Sequence, residues 1–352
     1  MIFSCDAFSS HEQVVFVSDP STGLRAIIAV HSTALGPALG GCRILPYADE
    51  ASALRDVLRL SRGMTYKAAA AGVPFGGGKA VVIVDSQTQK SPLLLRSLGR
   101  FIDRLGGRYI TGEDVGTTTA DMADIARSTS HVMGLPEEQG GSGDPSPRTA
   151  LGCFVGIQAS VDHVWGKHDL RGVRVLVQGL GNVGFNLCGL LDEAGASLLV
   201  SDVKRDAVQR CVEMFGATPV GPDAVIDAPA DIYAPSALGG VINDRTIERL
   251  KVKIVAGGAN NQLESPHHGA ALRARKILYA PDYVINAGGM IQLAMERLRC
   301  DPEETGRRVR DIAETLAKVF RMADAQGLAT NVAADRLVES RLKPEAAQAA
   351  SA

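Results

Sequence analysis

The 352-residue chain has almost no excess of either charge, 37 Lys and Arg standing against 39 Asp and Glu. Without a basic field nothing holds a phosphate backbone or an anionic bilayer, so neither nucleic acid nor a membrane surface is expected as a partner. No run approaches the roughly 18 uninterrupted apolar residues that a spanning helix needs. The opening MIFSCDAFSSHEQ lacks the basic-then-apolar order of a secretion signal. Cysteine is sparse and scattered: Cys5, Cys42, Cys153, Cys188, Cys211 and Cys300 form no C-x-x-C pair and no cluster with histidine at ligand spacing. A disulfide framework and a metal centre are therefore not expected, the thiols read as reduced, and the cytoplasm is the expected location.

What is present is glycine, 38 residues of it, and a length that suits about two domains. Gln13-Val-Val-Phe-Val-Ser-Asp and Leu24-Arg-Ala-Ile-Ile-Ala-Val flank Pro20-Ser-Thr-Gly23, which reads as a hairpin. Asp49 can cap a helix whose apolar positions Leu54, Val57 and Leu58 recur at helical steps, running toward Lys67. A strand at Ala80-Val-Val-Ile-Val84, a helix over 93–105 stopped by Gly106-Gly107, and a strand near Tyr109-Ile110 follow. Residues 139–147, rich in Gly, Ser and Pro, mark a boundary. Beyond it short β runs at 173–177, 197–200, 232–234, 254–256 and 277–279 alternate with helical stretches, the pattern of a doubly wound parallel sheet. From Gly288 only helical patterning appears, and 343–352 reads as a frayed end. The expected architecture is α/β: a substrate and assembly domain over 1–145, a dinucleotide-binding domain over 146–287, and C-terminal helices, 288–352, returning to the first domain, with an active-site cleft between the two domains.

Gly179-Leu-Gly-Asn-Val-Gly184 matches G-x-G-x-x-G between a strand and a helix. Gly179 permits the tight turn, Gly181 admits pyrophosphate to the backbone, and Gly184 lets helix and strand approach. Asp202, with Val203 beside it, follows the next strand where an acid holds the adenosine ribose diol, and its charge would repel a 2′-phosphate. NAD is the expected cofactor, although Lys204 and Arg205 keep NADP in view.

Pro74-Phe-Gly-Gly-Gly-Lys79 lacks the spacing of a Walker A loop. Its glycines instead clear space around Lys79, a candidate base. Lys67, flanked by alanines, can pair with a substrate carboxylate, and Asp114 in Thr111-Gly-Glu-Asp-Val-Gly-Thr follows a strand into a loop, where catalytic groups often sit. Each of these alone has an ordinary structural reading.

Taken in order, LGPALGGCR (35–43), MTYKAA (64–69), PFGGGKAVV (74–82), TGEDVGTT (111–118), QGLGNVG (178–184), AGGANNQL (256–263) and APDYVINAGG (280–289) resemble the glutamate/leucine/phenylalanine/valine dehydrogenases, hydrophobic amino-acid branch. The resemblance implies NAD-dependent oxidative deamination of an L-amino acid to a 2-oxo acid and ammonia, the reverse reductive amination, and a homo-oligomer, dimer or octamer. It implies that Lys67 holds the carboxylate with the Gly40-Gly41 backbone and Asn286, that Lys79 is the general base, and that Asp114 shares protons with it. It further implies that Asn261 orients the amine, that Asn260 and Ala234 contact the nicotinamide half, and that Thr149 contacts its amide or phosphate side. Leu180, Asn182 and Val183 complete the phosphate turn. Leu39, Met64, Gly112, Met290 and Leu293 would line the side-chain pocket, and none is charged. Glutamate is then a poor substrate, because its carboxylate would be buried unpaired. Gly112, where leucine-type relatives carry alanine, leaves room and favours phenylalanine or tryptophan, with leucine or valine as the alternative. Cys42 stands where many relatives have threonine. A zinc or hydroxy-acid dehydrogenase would need a positioned histidine or Cys/His ligands, and a non-catalytic NAD-binding regulator would not need Lys67, Lys79 and Asp114.

Overall fold

The computed structural model describes residues 2–86, 89–167 and 169–342. The expected frayed end at 343–352 lies outside the described residues. Two compact units emerge: the first holds the chain to Asp144 with Leu293–Cys300 and Arg341, and the second holds Pro145–Gln292 with Asp301–Ser340.

The first unit opens with the hairpin β1 (Gln13–Asp19) and β2 (Leu24–Ser32). It continues through β3 (Ala38–Leu39), β4 (Cys42–Leu45), α1 (Glu50–Ala71), β5 (Gly76–Ile83), α2 (Pro92–Asp103), β6 (Tyr109–Ile110) and α3 (Thr119–Ala126). β5 is the hub of a mixed sheet, antiparallel to β2 and parallel to both β3 and β4. Alternation along β2 dresses both faces: Ile27 and Ala29 pack with Val57 and Leu58 of α1, while Ile28 and Val30 pack with Leu94, Leu95 and Leu98 of α2. Each of the fully buried Ile, Val and Leu side chains is worth about 1.5–3 kcal/mol. Asp49 caps α1 by accepting the Ser52 N–H, as its sequence position predicts. The helix runs past Lys67 to Ala71, where Gly72 closes it in the left-handed conformation. β5 begins at Gly76, four residues before the strand expected at Ala80, so the glycines before Lys79 are strand and not loop.

The second unit runs through α4 (Ser146–Trp165), β7 (Arg174–Gln178), α5 (Asn182–Glu193), β8 (Ser197–Ser201), α6 (Arg205–Phe215), β9 (Thr218–Pro219) and β10 (Ile232–Pro235). α7 (Asp244–Ile247), β11 (Ile254–Val255), α8 (His267–Ala274), β12 (Leu278–Tyr279) and α9 (Asp282–Ile285) follow. Its strands form one parallel sheet in the order β12-β11-β10-β7-β8-β9, the doubly wound arrangement the alternation predicted. α10 (Gly288–Arg297) carries the chain from this unit into Leu293–Cys300 of the first, and α11 (Pro302–Gln326) and α12 (Thr330–Leu342) complete the chain.

The C-terminal helices differ from the expected 288–352 block, because residues 301–340 belong to the second unit. The cause is a seam of small residues on α4. A Cβ at Gly152 would lie 2.8 Å from Ile312 Cδ1, and one at Gly156 2.9 Å from Leu316 Cδ1, so the glycines let α11 settle closely with its apolar stripe inward.

Candidate active site

In the first unit, Lys79 lies in the middle of β5 opposite Ala29 and is only 4% exposed. A lysine that deep needs a partner. It has one: Lys79 Nζ donates to Asp114 Oδ2. The Asp114 loop is laid along β4, a strand the hydropathy pattern did not predict. Cys42 N–H donates to Gly112 O at 2.8 Å, Ile44 N–H to Val115 O at 2.9 Å, and Thr117 Oγ1 to Cys42 O at 3.1 Å. Gly116, at φ +82°, turns the loop where a Cβ would lie 2.1 Å from Ile44 O.

Asp114 Oδ1 accepts from Arg43 Nε at 3.0 Å and from the Val115 N–H at 2.6 Å. Burial alone pushes the Asp114 carboxyl up, but the Lys79 and Arg43 charges with the Val115 N–H pull it down to about 2. Arg43 extends the network through Nη1 to Asp56 Oδ2 at 3.1 Å, and Tyr47 Oη donates to the same oxygen at 2.6 Å. Neither Arg43 nor Asp56 stood out in the sequence. Cys42 lies fully buried beneath this network, and burial pushes its thiol up to about 12, so it packs as a neutral apolar group.

The other expected substrate residues of this unit gather around the same strands. Gly40 and Gly41 connect β3 to β4 so tightly that a Cβ would fall 1.9 Å from Gly78 O and 2.2 Å from Glu113 O, respectively. Tyr109 Oη fixes that turn by donating to Gly40 O at 2.7 Å. Met64 Cγ lies 3.1 Å from a Gly40 Cβ position, and Leu39 is buried in β3. Lys67 is half-buried on the same helix as Met64. Gly112 is open: a Cβ there would touch only Met133 O at 3.7 Å and Leu293 Cδ1 at 3.8 Å. Gly134, missed in the sequence, flanks the other Leu293 methyl, with Leu293 Cδ2 3.7 Å from its Cβ position and Glu113 Cγ at 3.9 Å.

In the second unit, the three glycines divide their work as the motif requires. Gly179 sits at φ +96°, a Cβ on Gly181 would meet nothing within 4 Å, and one on Gly184 would lie 1.9 Å from Gly179 O. The turn is thus open where the motif would admit a pyrophosphate, and α5 begins there at Asn182. Leu180, Asn182 and Val183 fill the turn and the first helical positions. Asp202 accepts the Leu180 N–H at 2.7 Å and the Lys204 N–H at 2.8 Å, tying the glycine turn to the end of β8. Val203 beside it is 84% exposed, a bare apolar surface next to the acid. This open cradle and acid suit a dinucleotide with a free 2′-hydroxyl.

Ala234 is buried in β10, and Thr149 Oγ1 donates to Pro145 O at 3.1 Å. Asn260 is exposed, as is Asn261, which adopts φ +52°. Asn286 is buried and its Nδ2 donates to both Gly258 O, at 3.2 Å, and Asn260 Oδ1, at 2.8 Å. Both of its protons are spent and Oδ1 is left without a partner. It therefore offers an acceptor, where the expected contact to a carboxylate requires a donor. Met290 is buried on α10.

Among the described residues, Asp244, His267 and His268 stand close enough together to share a cation. Hydrogen bonding accounts for their grouping: the Ser265 N–H donates to His268 Nδ1 at 3.0 Å, leaving Nε2–H to donate to Asp244 Oδ1 at 3.0 Å. Both nitrogens of the buried histidine are used in fastening the start of α8.

Two family models match the chain: the Glu/Leu/Phe/Val dehydrogenase dimerisation domain over residues 11–131, and Glutamate/Leucine/Phenylalanine/Valine dehydrogenase over 198–335. The sequence is 50% identical to leucine dehydrogenase of Geobacillus stearothermophilus over 333 residues, 95% of this chain and 91% of that one. It is 48% identical to phenylalanine dehydrogenase of Bacillus thermotolerans over 343 residues, 96% and 90% of the two chains. The crystal structure of L-tryptophan dehydrogenase from Nostoc punctiforme superposes with a TM-score of 0.84 at 48% identity, covering 95% of this chain and 96% of that one.

Proposed function

The chain belongs to the glutamate/leucine/phenylalanine/valine dehydrogenase family and is an NAD-dependent oxidoreductase acting on the CH–NH2 group of hydrophobic L-amino acids, and from that premise we propose how its residues share the reaction and which side chain they favour. The observation that carries the proposal is the buried Lys79–Asp114 pair at the hub of the first sheet.

Lys67 holds the substrate carboxylate, with the Gly40-Gly41 turn presenting its backbone alongside. Lys79 takes the proton from the water that adds to the imine carbon and returns protons when the reaction runs toward amination. Asp114, held ionised, keeps Lys79 oriented and stabilises positive charge on it and on the substrate amine. Asn286 Oδ1, the acceptor without a partner, receives an N–H from the cofactor carboxamide. Asn260 and Asn261 flank that position, with Thr149 and Ala234 on the nicotinamide side. The Gly179–Gly184 turn and Asp202 hold the pyrophosphate and adenosine ribose, and Val203 supports the adenine. NAD⁺, when bound, supplies the acceptance of hydride from the substrate Cα.

An aromatic side chain is the favoured one. Gly112 and Gly134 remove side-chain volume on both sides of Leu293, and the flexible Met290 can yield around a ring. The rest of the proposal is a homo-oligomer built through the dimerisation domain, in a cytoplasm that keeps its cysteines as thiols; a single-chain mass by light scattering would remove the first part. The test is kcat/KM with NAD⁺ for L-phenylalanine, tryptophan, leucine, valine and glutamate. Phenylalanine or tryptophan should lead and glutamate should trail, whereas an advantage for leucine or valine over both aromatics would overturn the aromatic preference.

A further inference from the structure

Asp114 has two oxygens and three donors. Lys79 takes Oδ2, while Arg43 Nε and the Val115 N–H share Oδ1. Arg43 is itself braced from α1, where Asp56 Oδ2 receives its Nη1 and the Tyr47 hydroxyl. We propose that Arg43 is a positioning residue for the reaction, occupying one Asp114 oxygen so that the other is reserved for Lys79.

This rests on the reading of Lys79 and Asp114 given above. The charged groups facing Asp114 are Lys79 from β5 and Arg43 from β4, with Asp56 of α1 behind the guanidinium. Cys42 of β4, Tyr109 of β6 and Tyr47 also face it, and burial pushes all three up, so none contributes charge at neutral pH. Arg43 is thus the one cation besides Lys79 placed to offset the burial of this carboxylate among those groups. Its planar fork suits two carboxylates at once: Nε serves Asp114 and Nη1 serves Asp56. A lysine ammonium, a point charge on a flexible stem, cannot hold both in that geometry.

Loss of the guanidinium has two effects. At neutral pH Asp114 stays ionised but loses the anchor on Oδ1 that turns its other oxygen to Lys79. Burial, less opposed, also raises the carboxyl by about one to three pH units, so that it takes up a proton earlier on the acid side. A protonated Asp114 no longer attracts the Lys79 ammonium. The effect falls on proton transfer and spares the cofactor, whose glycine turn lies in the other unit.

The experiment is the pH profile of kcat/KM for wild type, Arg43→Gln and Arg43→Lys, with NADH binding followed by fluorescence. Arg43→Gln should lower kcat/KM about tenfold or more at neutral pH, move the acid limb up by about one unit or more, and leave the NADH Kd within about twofold. Arg43→Lys should fall between the two. A profile for Arg43→Gln that superimposes on wild type, or an Arg43→Lys no better than Arg43→Gln, overturns the proposal. If Arg43→Gln does not fold, Arg43→Lys alone must move the limb in the same direction, and an unmoved limb overturns it. Asp114→Asn separates the two levels. Turnover at the wild-type rate there would sink the Lys79–Asp114 reading itself, while an inactive Asp114→Asn beside an unaltered Arg43→Gln removes only the role given to Arg43.

Discussion

At the scale of the residue, Gly112 makes the sharpest statement about substrate choice. Its missing methyl would sit at ordinary contact distance from Leu293 and Met133 O, so Gly112→Ala adds volume to the proposed pocket without crowding the fold. Its φ lies outside the left-handed range, and the substitution should leave thermal stability unchanged or raise it by up to about 1 kcal/mol. It should lower kcat/KM for phenylalanine and tryptophan relative to leucine by about tenfold. An unchanged ratio of aromatic to branched-chain kcat/KM would remove Gly112 from the pocket. Lys79 and Asp114 were legible because each sits in a short motif, and the family resemblance paired them. Arg43 was not, since its partners Asp114 and Asp56 stand 71 and 13 residues away and an arginine beside a glycine run has no spacing signature of its own. The hydrogen bonding of Asn286 was not legible, because only the three-dimensional neighbours Gly258 and Asn260 show that its protons are spent.

At the scale of the element, the parts that could be read were those whose burial pattern has a period. The β1–β2 hairpin, the Asp49-capped helix and the alternating strands of the second sheet all present regular apolar faces. β4 and the first half of β5 could not be read. β4 is four residues long beside a glycine pair, and Gly76–Gly78 carry no side chains to alternate, so their strand character comes from pairing with β2 and β3 alone. Those two elements carry Arg43 and Lys79. The glycine turn between β7 and α5 was legible for the opposite reason, each glycine answering a separate local need. Asp202 extends that element, and its charge should exclude a 2′-phosphate. Asp202→Asn keeps an acceptor for the Leu180 N–H while removing the charge, so the preference for NAD over NADP in kcat/KM should shrink by about tenfold or more. A preference that stays at the wild-type value would assign cofactor choice elsewhere.

At the scale of the whole molecule, the chain divides its chemistry. The first unit holds the ion-paired lysine in its sheet, and the second holds the G-x-G-x-x-G turn after β7 of its own. The boundary near residues 139–147 was visible as a change of composition. The return of Leu293–Cys300 to the first unit, and the stay of α11 with the second, were not, because a uniform helical pattern after Gly288 does not say which surface each helix covers. Glycines on α4 decide that for α11. The separation has a direct consequence: damage to Lys79, the lysine proposed to transfer protons, should leave the proposed cofactor site intact. The decisive measurement is therefore kcat and NADH affinity side by side for Lys79→Ala. The account predicts a fall in kcat of about 10²–10⁴-fold with an NADH Kd near that of wild type, and a variant keeping more than about a tenth of wild-type kcat would contradict it.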